Sequence, residues 1–221
     1  MRDTYHEELD AISAALVEMA NMVGSAMSRA TSALLDADLT LAEMVIAADE
    51  TVDELYRATE ERAFDVLARQ QPVAGDLRTL VTSLRMVADL ERMGDNAVHV
   101  AKIARRRYPA SAVPPELRST VLKMGHVAEE IVAKAGSVVA QRDLTMAAEL
   151  ERDDDVMDDL HRTLFTFILD DKWDFGVEAA IDVTLAGRYY ERFADHAVSV
   201  ARRVVYLVTG ERHEPVAASG S

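Results

Sequence analysis

The sequence predicts an all-α protein made of two tandem three-helix bundles related by an internal repeat. Three observations carry that prediction. The chain matches itself at a near-constant offset. Its apolar residues recur at alternating steps of three and four. Gly and Pro together number only 14 of 221 residues, too few for many short strands and turns. The abundant Ala, Leu, Val, Met, Glu and Arg are mostly good helix formers.

The repeat is the strongest signal. Asp38-Leu-Thr-Leu-Ala recurs as Asp143-Leu-Thr-Met-Ala, and Asp49, Val52, Asp53, Leu55 and Arg57 align with Asp154, Met157, Asp158, Leu160 and Arg162, all at an offset of 105. Farther on, Glu91 to Ala101 (ERMGDNAVHVA) matches Glu191 to Ala201 (ERFADHAVSVA) at an offset of 100. An insertion near Gln70 to Leu77 reconciles the two offsets and belongs in a helix–helix connection. Residues 1–109 form the first unit, 110–210 the second, and 211–221 a disordered tail.

Each unit predicts three helices, at 3–36, 39–69 and 75–107, then 115–142, 144–170 and 175–209. Asp38 and Asp143 are placed to cap the helices that follow, because a short carboxylate accepts from free backbone N–H groups. Pro72 stops the second helix, and Pro109 with Pro114-Pro115 separates the units. Arg105-Arg106-Arg107 falls in a last turn, where it complements the helix dipole, and Arg202-Arg203 lies near the matching end. In the last helix Val183, Ala186, Tyr190, Phe193, Ala197, Val200, Val204 and Leu207 form a seam, matched in the third helix by Ser83, Met86, Leu90, Met93, Ala97, Val100 and Ala104. Helices of roughly 30 residues span about 45 Å, so the units are elongated.

Composition narrows function. The formal net charge of −15 argues against nucleic-acid binding and against adhesion to anionic lipid. It favours a basic protein partner or a cation. The absence of cysteine removes disulfides, thiolate metal sites and thiol catalysis. The start lacks the apolar core of a signal peptide, and Ala11 to Leu35 carries Glu18 and Arg29, which reads as a packed helix and not a membrane span. The expected compartment is the cytoplasm. No GxGxxG, GxxxxGK[ST] or HExxH motif occurs, and the carboxylate helices carry no ExxH.

Four acidic pairs at spacing i, i+4 fall at repeat-equivalent places: Asp49 with Asp53, Glu91 with Asp95, Asp154 with Asp158, and Glu191 with Asp195. Residues four apart on a helix are neighbours, and like charges there cost about a few tenths of a kcal/mol each. On so acidic a chain such pairs also arise as plain surface, as Glu50 with Glu54, Glu61 with Asp65 and Asp155 with Asp159 illustrate. Recurrence in both units favours metal binding for the four. An antiparallel packing of middle and third helices gathers about four carboxylates per unit, and measured against the seam Glu91, Asp95, Glu191 and Asp195 point outward. Oxygen donors suit magnesium, manganese or calcium, and also iron. His99, one turn past Asp95, and His196, beside Asp195, are candidate nitrogen donors whose plainer reading is boundary or surface.

Gln71 to Ala101 (QPVAGDLRTLVTSLRMVADLERMGDNAVHVA), with the second copy ending in ERFADHAVSVA, resembles the signature region of PhoU proteins. The amino-terminal EELDAISAALVEMANMVGSAM and the segment around Asp49-x-x-Val-Asp-x-Leu55 fit the same family, so the likeness runs from about Tyr5 to Val208. The resemblance implies a pair of three-helix bundles, a homodimer, and a non-enzymatic role restraining the phosphate-starvation response. It implies as partners the ATPase subunit of a phosphate ABC transporter and a membrane sensor histidine kinase. It also implies multinuclear metal sites (iron, manganese, magnesium or zinc) on E(D)xxxD motifs, which land on the eight carboxylates named above. Arg92 and Arg192 fit the pattern as residues that hold the carboxylates or a partner. Asp76-Leu-Arg78 has no second copy and Gly94 becomes Ala194, which makes the second site the weaker expectation. The competing class is a bundle enzyme using a carboxylate-bound metal for hydrolysis or redox chemistry, which requires a buried cluster with an open coordination position.

Overall fold

The computed structural model describes residues 2–70 and 72–211, with side chains from Tyr5 onward; the expected tail beyond Glu211 lies outside them. Six long helices follow in order: α1 (Arg2–Asp36), α2 (Leu39–Gln70), α3 (Gly75–Arg107), α4 (Arg118–Gln141), α5 (Leu144–Ile168) and α6 (Gly176–Thr209). The α4 start differs from expectation. Pro115–Leu117 forms a separate 3-10 turn before α4, as a Pro-led first turn permits.

The caps behave as their chemistry requires. Asp38 Oδ1 accepts from the Leu41 N–H at 2.9 Å, and Asp143 Oδ1 accepts from Thr145 and Met146 at 2.8 and 3.1 Å. The insertion falls in a connection. Helix α2 runs on to Gln70, whereas α5 stops at Ile168, the equivalent of position 63 at the offset of 105. The last two turns of α2 bury Ala63 and Val66 with Tyr5, Ile12 and Leu80 in a small second core at that end.

Seam residues are buried from Ser83 to Ala104 and from Val183 to Val204, while Leu207 is only partly covered. The two units do not stand apart. Helix α1 packs on α3 and α4, and α6 packs on α3 and α4, so four helices close a ring around one shared core. Helices α2 and α5 lie outside it, each against its own unit. Helix α1 is long and apolar enough to cross a membrane by composition, and it packs against α2, α3 and α4.

Small residues bring the units together. Helices α1 and α4 run antiparallel, with Gly125 against Thr31 and Gly136 against Ala20. These two contacts are copies of each other under the repeat. At Gly125 any Cβ would fall 2.6 Å from Thr31 Cγ2, so glycine is required for the approach. Thr31 in turn shares a 2.7 Å hydrogen bond with the hydroxyl of fully buried Tyr190 across the units, and burial pushes that phenol up.

Helices α3 and α6 are also antiparallel and are tied by charge. At one end Asp182, 3% exposed, lies against Arg106 and is 3.0 Å from Arg107 Nε, while Arg107 also reaches Glu178 at 2.5 Å. In the middle Asp89 meets Arg203 at 2.7 Å and His196 at 3.2 Å. At the other end the Arg78 guanidinium lies 5.7 Å over the Tyr206 ring. The basic run at 105–107 is therefore a set of ties to α2 and α6, Arg105 pairing with Glu43 at 3.6 Å.

Candidate functional site: paired carboxylate clusters

Each unit draws its four carboxylates into one electrostatic group, on α2 and α3 in the first unit and on α5 and α6 in the second. In the first, Asp49 lies directly over Gly94 of α3. Its Oδ1 is 3.2 Å from where a Cβ would sit, so the glycine lets the carboxylate come against the helix. Burial holds Asp49 above the usual carboxylate range, and the charges of Asp53 and Asp95 add to that while Lys102 opposes it. Glu91 is raised by burial and then by Asp95, with smaller contributions from Asp53 and Asp49.

The second unit repeats the arrangement with a stronger effect. Burial, then Asp195, Asp158 and Asp155, push Asp154 up to about 7 against the pull of Arg202. Glu191 and Asp195 are both raised, chiefly by burial, and Asp158 bears on each.

Arginines hold these groups. Arg57 reaches Asp53 at 3.0 Å, and Arg92 lies 3.5 Å from both Glu91 and Asp95. In the second unit Arg188, not Arg192, pairs with Glu191. Position 88, its equivalent, is Ala, so the repeat gave no signal for it. The outward direction expected for the third-helix acids is corrected in part. Glu91, Asp95 and Glu191 are half-buried, and Asp195 is the most exposed of the four, though burial still raises its carboxyl.

The histidines do not join the clusters. The His99 ring stacks on Tyr189 at 4.7 Å, and His196 turns Nδ1 to Asp89 of the other unit. Among the described residues, no three His, Asp or Glu side chains converge closely enough to hold a metal ion in this arrangement. The donor set fits a hard cation in its chemistry: oxygen donors only, mutually repulsive and partly desolvated. The arginines now supply the counter-charge.

Sequence reading missed a groove of about 370 Å³ between α1 and α2, beside Asp49. Its floor includes Met22, Ala26, Val45 and Val52, and Arg29 stands on its wall.

Comparison with known proteins accords with this geometry. The PhoU domain profile matches residues 16–104 and 121–204, the two units in turn. The chain is 54% identical to the phosphate-specific transport system accessory protein PhoU homolog 2 of Mycobacterium tuberculosis, over 95% of this chain and 99% of that one. It is 51% identical to homolog 1 of Mycobacterium leprae over the full length of both. The crystal structure of PhoU from Pseudomonas aeruginosa superposes with a TM-score of 0.86 at 30% identity, covering 94% of this chain and all of that one. With two matched domains, full-length relatives and a shared six-helix fold, the chain belongs to the PhoU family.

Proposed function

We propose that this protein is a cytoplasmic negative regulator of the phosphate-starvation response. In this reading it couples the ATPase subunit of a phosphate ABC transporter to a membrane sensor histidine kinase, acting as a homodimer. The observation that carries it is the full-length match to accessory proteins of phosphate-specific transport. The role is that of an accessory regulator and not an enzyme. The carboxylates support this side of the choice, because arginines pair with Asp53, Asp95 and Glu191 where an enzyme's metal would need free ligands. Deleting the gene and following a phosphate-starvation reporter in phosphate-rich medium tests the role. Expression should become constitutive, and an unchanged reporter would refute it.

The clusters of Asp49, Asp53, Glu91 and Asp95, and of Asp154, Asp158, Glu191 and Asp195, are proposed as cation sites. What supports them is the mutual repulsion of the paired carboxylates in both units. Iron, manganese, magnesium, calcium and zinc are the candidates. A cation that binds the folded state alone raises its stability by mass action, about 2.7 kcal/mol at a hundredfold excess over Kd. Melts with each metal should show an upward shift for wild type. The first half of that shift should vanish in Glu91→Gln/Asp95→Asn and the second in Glu191→Gln/Asp195→Asn. Variants that melt higher than wild type, with no metal response from any protein, would make the clusters ordinary acidic surface.

A further inference from the structure

The repeat supplies an internal control for the groove on the first unit. At the offset of 105, Arg29 of α1 corresponds to Lys134 of α4. Lys134 is satisfied within its own unit, 2.5 Å from Asp153 and 3.6 Å from Glu149 on α5. The positions equivalent to those two acids on α2 are Ala48 and Met44. The first unit thus keeps the cation and replaces both of its carboxylate partners with apolar groups. Ala48 lines the groove of about 370 Å³, and Met44 is 52% exposed beside Val45. Asp49 shares a wall of this groove with Arg29, and Glu129 shares one of the neighbouring groove toward α4. Among the described residues, neither they nor any other acid forms an ion pair with Arg29.

We propose that the α1–α2 groove of the first unit docks an amphipathic helix of a protein partner, whose apolar face fills the groove and whose carboxylate pairs with Arg29. The second unit shows with its own Asp153 the bond the partner would supply. A groove between two helices, floored by Met22, Ala26, Val45 and Val52, has the shape and chemistry that take an apolar helix stripe. Methionine at its edge adapts to varied side chains. An exposed cation over that floor selects an acid in the partner at the same helix face. The proposal deepens the adaptor reading and rests on it for the partner's being a protein.

The test uses the full chain and a labelled 18-residue synthetic helix carrying a leucine stripe and one flanking Glu, with a second peptide bearing Lys in place of Glu. Anisotropy titrations should show saturable binding of the Glu peptide, at least tenfold tighter than the Lys peptide. This preference runs against the net charge of −15, so general electrostatics predicts the reverse. Met44→Glu/Ala48→Asp installs the acids of the second unit, and should weaken the Glu peptide tenfold or more while melting at or above wild type. If that variant misfolds, Arg29→Gln serves, and should remove the preference for Glu over Lys. Lack of saturable binding, equal or tighter binding of the Lys peptide, or binding indifferent to these variants would overturn the proposal. Failure of the adaptor reading looks different: the reporter stays silent on gene deletion while the peptide preference persists.

Discussion

In the second unit Lys134 is locked to Asp153, and α4 and α5 close on each other through that bond. In the first unit Arg29 stands over a groove floored by apolar side chains. Beneath these surfaces the units hardly differ. Both bury the same seam, both cap their middle helix with an aspartate, and both gather four carboxylates beside the third helix. The shared core constrains the inner faces, because a volume change there is felt by every neighbour. The surface rim where the first and middle helices meet is less constrained, and there the two copies diverge into a closed surface and an open one.

The sharpest asymmetry lies along the α3–α6 pair, and it predicts the largest stability effect. At one end Asp182 is almost fully buried and held by Arg106 and Arg107. The equivalent position at the other end is Thr82, and there the tie is Arg78 over the Tyr206 ring. Removing both partners of a buried carboxylate leaves its charge unpaired, which costs about 3 kcal/mol or more. A cation–π contact near the surface is worth about 0.5–1 kcal/mol. Arg106→Ala/Arg107→Ala should therefore lower urea stability by about 3 kcal/mol and Arg78→Ala by about 1 kcal/mol or less. Equal losses at the two ends would show that packing, not the ion pairs, joins the units.

The clusters differ in degree, and pH separates them. Asp154 titrates near 7 in the folded state and near 3.8 when unfolded, so between those values the folded chain binds the extra proton. Its contribution is fully present below about pH 3.8 and is lost as pH rises through 7. Asp154→Asn removes a charge the fold disfavours at alkaline pH. It should stabilise the protein at pH 8 by about 1–2 kcal/mol, less than the whole shift because solvent reaches the group, and by almost nothing at pH 4. Asp49→Asn should act in the same direction with a smaller effect, since two acids, Asp53 and Asp95, bear on it where three bear on Asp154. Denaturation curves at the two pH values decide it. A larger gain at Asp49 would reverse the ranking of the clusters.

How far this was legible in the sequence follows from the kind of signal each feature leaves. Helix limits were readable because Asp38, Asp143 and Pro72 act locally, through their own backbone. The carboxylate groups were readable because their members sit four apart and recur. The closure of the two units into one ring was not, since its contacts are made by Gly125, Gly136 and Ala20, small residues that look alike on any helix face. Of the arginines beside the acids, Arg92 was readable from the repeated motif and Arg188 was not. Arg188 has no counterpart in the first unit, and Arg92 pairs directly with its acids whereas Arg192 bears on Asp195 only through its charge. The open groove did leave a trace, visible on placing Met44 and Ala48 opposite Glu149 and Asp153, but its meaning depends on knowing that Lys134 bonds Asp153.

The smallest expected effect tests how closely the two copies agree in backbone. Ala37 and Arg142 occupy equivalent positions at the ends of α1 and α4, and both are left-handed, with φ of 50° and 55°. That conformation costs an L-residue about 1–2 kcal/mol. Glycine removes the strain but adds about 0.4–1 kcal/mol of unfolded-state freedom. Ala37→Gly and Arg142→Gly should therefore each stabilise the protein by about 0.5 kcal/mol, measured by urea denaturation. Arg142 is exposed, so loss of its side chain should not mask the gain. The aspartate that follows each position caps the next helix, which fixes the turn from the far side in both units. Equal gains would mean the two turns are interchangeable and that the units diverge in side chains alone. A gain at one and a loss at the other would mean that divergence has reached the backbone. The closed second unit would then owe its geometry partly to the turn that feeds α5, and not only to the Lys134–Asp153 bond.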